Sequence, residues 1–399
     1  MSLERRPTDP VPDLVSLLQG DDHAGDLHRT RSGIVLVTRY DDVVEGLKNR
    51  ALSNRPGPFA LVHKRNASIH VAADVANNLI AFQDRPEHVA PRRAMMRAFG
   101  AALAEFRPSV DELAQQLAER MFRRTDIEFM RDFSSQFASL AVCRMMGLPQ
   151  TDAEKIRGWS TPFFQLFHAM PDRTALEALN RSLEEFRAYF AAVAENRTAL
   201  PGRDFVSLLL SAQEDGDRMP VQAVIDNCML LAADGVENVQ TGLASSVATL
   251  LSHPDELDKL KTAIAGGDDP VVRGAIGECL RFESPGQYQL RNAIEDTQIG
   301  SKPIRRHEIV ALCFGAANRD PAAFDEPNRF RIGRSGPRHL AFGAGYHGCL
   351  GSALVESELA ATFRVLFGQG RRLALRDREI RWQHRVGHRW PEALNLVVG

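Results

Sequence analysis

The residues with the most chemistry in this chain form one short run, His339-Leu340-Ala341-Phe342-Gly343-Ala344-Gly345-Tyr346-His347-Gly348-Cys349-Leu350-Gly351. Glycine lacks a Cβ and tolerates positive φ, so glycines ahead of a cysteine describe a backbone loop that must approach something flat and bulky. The residues that follow, SALVESELAATFRVLF, have helical periodicity, which puts Cys349 where a loop enters a helix. N–H groups at a helix start stabilise a thiolate. A thiolate held there can ligate haem iron and push electron density onto it, which favours O–O cleavage. Two other readings compete. Gly343-x-Gly345-x-x-Gly348 matches a dinucleotide fingerprint, which expects a β-branched strand before it and an acid about 20 residues beyond it. Here PRHLAF comes first, and no acid lies between Glu358 and Asp377. The other alternative is a buried structural cysteine in a glycine turn, a common setting for a free thiol.

Other runs separate these readings. FGAGYHGCLG (342–351) is similar to the FGxGxHxCxG haem-binding signature of the cytochrome P-450 family. Glu278-Cys279-Leu280-Arg281 matches that family's ExxR helix motif, and AANRDPAAFDEPNRF (316–330) matches its downstream segment. DRPEHVAPRRAMMRAF (84–99) looks like the family's helix beside a haem propionate. The motifs come in the family's order, and the resemblance runs from about residue 10 to the C-terminus.

The resemblance implies haem b held by Cys349 as the axial iron ligand. It implies that His88, Arg92, Arg291 and His347 bind the propionates. Buried anions need cations or donors, and His88 and Arg92, four apart, can share one helix face. It further implies a buried network of Glu278, Arg281 and Arg329 that holds the cysteine loop. By spacing alone, Glu278 and Arg281 could equally be a solvated surface pair worth little.

Residues 221–252 show helical periodicity over about 45 Å at 1.5 Å per residue. In the family this helix crosses the distal haem face with the pattern Ala-Gly-x-(Asp or Glu)-Thr. This chain reads Asp234-Gly235-Val236-Glu237-Asn238. Gly235 and Glu237 fit as catalytic residues, one leaving room for dioxygen and the other relaying protons. Asn238 replaces the alcohol, and an amide carries protons less well than a hydroxyl.

The elements that must position these groups are mainly helical. Segments 108–124, 177–196 and 221–252 carry apolar residues at three- and four-residue spacing. Short strands are expected in GIVLVTRY (33–40) and in 288–315, giving minor sheet regions near 33–60 and 288–315. Strands do not alternate with helices, so a doubly wound sheet is disfavoured. The expected architecture is mainly α with a minor β region, the cytochrome P-450 fold, as one domain over 1–399.

The composition, 44% hydrophobic and 25% charged, suits a globular protein. A net charge of −2 gives no pointer to nucleic acid or a membrane. The N-terminus lacks an apolar core for a leader or anchor, so a cytoplasmic protein is expected. Cys143, Cys228, Cys279, Cys313 and Cys349 form no CxxC pair and are odd in number, which argues against disulfides and zinc.

By resemblance the chain is a monooxygenase of bacterial specialised metabolism. It would use dioxygen, a small-molecule substrate and a separate ferredoxin with its reductase, docked near Arg92, Arg93 and Arg97. Oxidative coupling, desaturation, peroxide-driven turnover and a non-catalytic haem or ligand sensor are its rivals; Asn238 sustains the last. Substrate contacts are expected near 55–83, 160–175, 228–239 and 284–290, with Phe163, Phe164 and Phe167 as a roof or as core. Gln287, Tyr288 and Gln289 hint at a substrate with hydrogen-bonding groups.

Overall fold

Helices dominate because most long segments carry an apolar stripe that only packing against another helix can bury. In the computed structural model, residues 28–398 are described, apart from 31–32, 58–59, 168–172, 215–216, 378 and 384–386. The N-terminal run read for a leader and residues 168–170 of the Phe163 segment lie outside the described residues. The helices are α1 Tyr40–Lys48, α2 Val71–Asn78, α3 Val89–Phe106, α4 Val110–Met121, α5 Ser135–Met145, α6 Ala153–Phe163 and α7 Arg173–Ala199. They continue as α8 Phe205–Ser211, α9 Val221–Ser252, α10 Pro254–Gly266, α11 Asp269–Phe282, α12 Phe314–Ala317 and α13 Ser352–Phe367. No described helix is long and apolar enough to cross a membrane.

Local chemistry fixes several boundaries. Gly267 takes a left-handed φ of +69° that ends α10. Asp268 then accepts from the Val271 N–H and caps α11, the helix of Glu278 and Arg281. The strand expected over 33–40 is cut short at Val37, because Tyr40 already starts α1 with Asp41 and Asp42 in its first turn.

The strands are β1 His28–Arg29, β2 Val35–Val37, β3 Leu52–Ser53, β4 Ile127–Glu128, β5 Gln213–Glu214, β6 Asp217–Arg218 and β7 Gln289–Ala293. They continue as β8 Thr297–Ile299, β9 Lys302–Ile304, β10 Ile309–Leu312, β11 Leu373–Leu375 and β12 Asn395–Val398. The main sheet has the order β1-β2-β10-β7-β3. The parallel pairing of β2 with β10, Val35 opposite Val310, ties the start of the chain to the hairpin that follows α11. Alternation sends Val310 and Leu312 to one face with Val43 and Leu47 of α1, and Ala311 to the other with Ile34 and Leu36.

The cysteine loop is held by a buried ionic network. Glu278 accepts from Arg281 at 2.7 and 3.0 Å, and both side chains are buried. Arg281 also donates to the carbonyls of Asn318, at 2.7 Å, and Pro327, at 2.9 Å. Asn318 in turn accepts the Leu340 N–H at 2.7 Å, where the cysteine loop begins. The expected third side chain is corrected here. Arg329 is 64% exposed and pairs with Glu326, lending the network only its backbone carbonyl. Arg334, 5% exposed, puts its Nε 3.1 Å from Glu278 instead.

Removing one partner of a buried ion pair strands the other charge, at roughly 3–5 kcal/mol. Glu278→Ala is therefore expected to give misfolded protein. Arg334→Ala should lower stability by about 3 kcal/mol, read by urea unfolding, while Arg329→Ala leaves the midpoint where it was.

Candidate active site

Cys349 sits three residues before Ser352, where α13 begins. Its amide donates to the Phe342 carbonyl at 2.8 Å, closing the loop over Gly343, Gly345 and Gly348. Gly345 has φ +72°, and a Cβ there would lie 3.0 Å from the Leu47 carbonyl oxygen, so α1 and the loop approach through a missing side chain. The Cys349 thiol is accessible, yet protein crowds it closely enough that burial pushes its pKa up to about 11. It thus faces an internal cavity. Backbone N–H groups of Gly351 and Ser352 oppose the rise, Asp234 adds to it, and Arg92 counters it. Among the described residues no three His, Cys, Asp or Glu side chains gather as a metal site. A metal on this sulfur would have to arrive carrying most of its own ligands, as a porphyrin iron does.

The basic residues converge beside the loop. His88 lies at the start of α3, and the Arg92 amide bonds its carbonyl at 3.1 Å, so both share a face. The His88 and His347 rings are 4.2 Å apart. Burial, reinforced by neighbouring positive charge, lowers His88 to about 4 and His347 to about 3. Arg291, on β7, is buried and, among the described residues, donates only to the Leu290 carbonyl and the Gln289 side chain, at 2.9 and 2.8 Å. Burial lowers its pKa to about 10. Arg92 turns inward onto the Gly348 carbonyl. Neither arginine has a carboxylate in ion-pair contact among the described residues, and the Nε2 atoms of His88 and His347 are buried without a partner. Such a cluster of unmatched donors fits an anionic group, such as a pair of carboxylates.

Opposite Cys349 runs α9. From Val224 to Leu250 every residue is buried except Leu231, Asp234, Gly235 and Asn238. Their spacing, i, i+3, i+4 and i+7, is a single helical stripe, so this face looks onto the cavity. A Cβ on Gly235 would meet Val142 at 2.8 Å and otherwise open space, so glycine both admits α5 and keeps the cavity side clear. Glu237 is off the stripe, buried and accepting from Thr161 of α6. Glu237 and Asn238, expected to act together, therefore face different ways.

On the substrate side, the structure decides what the sequence left open or only hinted at. Phe163 and Phe164 are core, whereas Phe167 is half-buried with its ring 5.1 Å from Phe82. Gln287 donates to the Ser284 carbonyl at 2.6 Å, and Gln289 accepts from Arg291, so internal partners take these amides. Tyr288 packs beside Ile34, Leu36 and Cys313. Arg334 went unnoticed in the sequence, and Thr161 and Asp234 lay in stretches expected to touch substrate without being singled out, because long-range folding decides what each one meets.

A family model described as cytochrome P450 matches residues 26–367. The chain belongs to the cytochrome P450 family. Members of this family bind haem and act as monooxygenases. This P450 is similar to the biotin biosynthesis cytochrome P450 of Bacillus subtilis (strain 168), at 33% identity with 90% of this chain and 89% of that one covered. It is 30% identical to the polyketide biosynthesis cytochrome P450 PksS of the same organism, covering 91% and 88%. Among solved structures, P450BioI in complex with an acyl carrier protein carrying hexadec-9Z-enoic acid superposes with a TM-score of 0.84 at 30% identity, covering 94% of this chain and 95% of that one. CalO2 superposes with a TM-score of 0.86 at 25% identity, covering 98% and 96%.

The loop geometry sets up a contrast. Gly345→Ala forces a left-handed alanine against Leu47 and should cost about 1–2 kcal/mol. Gly158→Ala, in α6 with open space around it, should gain about 0.5–1 kcal/mol. Urea unfolding of the two variants reads both signs.

Proposed function

We propose that this P450 binds haem b through Cys349 and inserts one atom of dioxygen into a small organic molecule of bacterial specialised metabolism. One observation carries the reading. A single thiol, met by the N–H groups of a helix start, faces the half-open stripe of α9 across an internal cavity. Bound haem supplies the iron at which dioxygen is reduced and divided between substrate and water.

The chain's own residues do the rest. The Gly351 and Ser352 amides hold negative charge on the sulfur. His88, Arg92, Arg291 and His347 receive the propionates, whose charge matches donors left without partners inside the protein. Gly235 leaves the cavity side of α9 clear. Asn238 keeps a water or oxygen in place by hydrogen bonding, and Glu237, anchored by Thr161, stands behind it as the acid. The biosynthetic names of the relatives support a specialised small-molecule substrate. Electrons come one at a time from a ferredoxin and its reductase, met by the exposed Arg93 and Arg97. Arg92 points inward and is not part of that surface.

The test is turnover with a surrogate ferredoxin system under isotopically labelled dioxygen, scored by mass spectrometry across a panel of metabolites. One labelled oxygen atom per product molecule is expected. Product without label points to coupling or desaturation, and electron consumption without any product contradicts the reading. In parallel, Arg291→Ala should weaken haem retention by about tenfold or more, the loss expected when a charged partner of a buried anion is removed. Arg93→Ala should retain haem like the parent. Haem transfer to an apoglobin acceptor measures both.

A further inference from the structure

The centre of α9 carries a carboxylate that haem binding leaves unused. Asp234 lies on the cavity stripe, one turn before Asn238 and directly beside Gly235. It has no hydrogen bond or ion pair among the described residues, and it is close enough to Cys349 to act on its charge. Nothing in the fold repays it. Aspartate is a poor helix former. A carboxylate removed from water without a cation is costly, and here burial alone raises its pKa to about 7. The arginines nearest the cavity are engaged elsewhere, Arg92 on the Gly348 carbonyl and Arg291 on Gln289. Asn238 adds a carbonyl oxygen and an amide on the same face, also without a hydrogen-bond partner among the described residues. Leu231 supplies an apolar contact one turn before Asp234. A negative sulfur at Cys349 further disfavours a second anion in the cavity and favours a cation.

We propose that Asp234 selects the substrate: with Asn238 beside it, it holds a molecule that carries a positively charged nitrogen on an otherwise apolar body. The ion pair fixes one end of that molecule on α9 while the apolar remainder fills the cavity that Cys349 faces. This assignment rests on the haem-binding reading of the cavity and deepens it by naming the substrate class. Gln287 and Gln289 carry no charge to set against a cation, and one atom of each amide already has an internal partner.

The test uses two probes of equal shape, phenyltrimethylammonium and tert-butylbenzene. They differ in charge, and neither has a nitrogen lone pair that could bind iron. Binding to the haem-loaded protein is followed by haem absorption and by equilibrium dialysis, which counts bound probe even where absorption is silent. Asp234→Asn is expected to weaken phenyltrimethylammonium about tenfold, as for loss of a charged partner, and to leave tert-butylbenzene unchanged. Asp234→Ala, a better helix former at the same position, should repeat that pattern, and haem content verifies that each variant is folded. Equal cation affinity in the parent and both variants, or no cation binding to the parent, overturns the proposal. A parent protein that fails to take up haem overturns the reading it rests on, whereas a haem-loaded parent indifferent to charge overturns only the role of Asp234.

Discussion

The proposed haem site depends on holding negative charge on a sulfur that lies inside protein. Burial alone drives the Cys349 thiol toward its neutral form. What opposes burial is backbone: two amides at the start of α13 and a loop whose glycines let other groups come close. Those amides point at the sulfur only if the loop is rigid, and its apolar contacts, Leu340 in one core and Phe342 and Leu350 against the other, are not its only anchor. Its rigidity is borrowed from the Glu278–Arg281–Arg334 network, which pins Asn318, which pins Leu340. A surface-style ion pair would be worth little. Buried and bonded to several carbonyls, this one converts the position of α11 into the position of a loop some seventy residues later in the chain.

Charge is distributed around the cavity in a consistent way. At one edge, His88 and His347 bring ring nitrogens without partners, and Arg92 and Arg291 bring charges with no carboxylate in contact among the described residues. An acceptor without a partner, Asp234, lies on α9. Each group is costly where it stands unless something else completes it. An anionic cofactor edge and a cationic substrate would complete both, so the same physical rule reads two ligands from one cavity.

Much of this was legible in the sequence, and the reason is local. The glycine spacing before Cys349, the four-residue step from His88 to Arg92 and the three-residue step from Glu278 to Arg281 are properties of one loop or one helix. The structure shows Glu278 bonded to Arg281 and sets Arg92 one helical turn after His88. The periodicity of 221–252 likewise returned the observed bounds of α9. The misses are tertiary. Arg329 and Arg334 are both arginines on the same irregular segment, and only the fold decides which guanidinium turns inward. Gln287 and Gln289 look polar and available in sequence, yet a backbone carbonyl and Arg291 take them. For Phe163, Phe164 and Phe167 the sequence left roof and core both open, and packing alone makes the first two core and the third half-buried. Asp234 lay within a stretch expected to touch substrate but was not singled out, because acid on a helix usually means a solvated face, whereas α9 has almost none.

The most direct measurement concerns the bond between the Cys349 sulfur and iron. The purified, haem-loaded protein is reduced and exposed to carbon monoxide, and its absorption difference spectrum is recorded. A strongly red-shifted Soret band, lost in Cys349→His with haem still bound, is the result this account predicts. A fully haem-loaded parent protein that shows only the unshifted band of a nitrogen-ligated haem would contradict it.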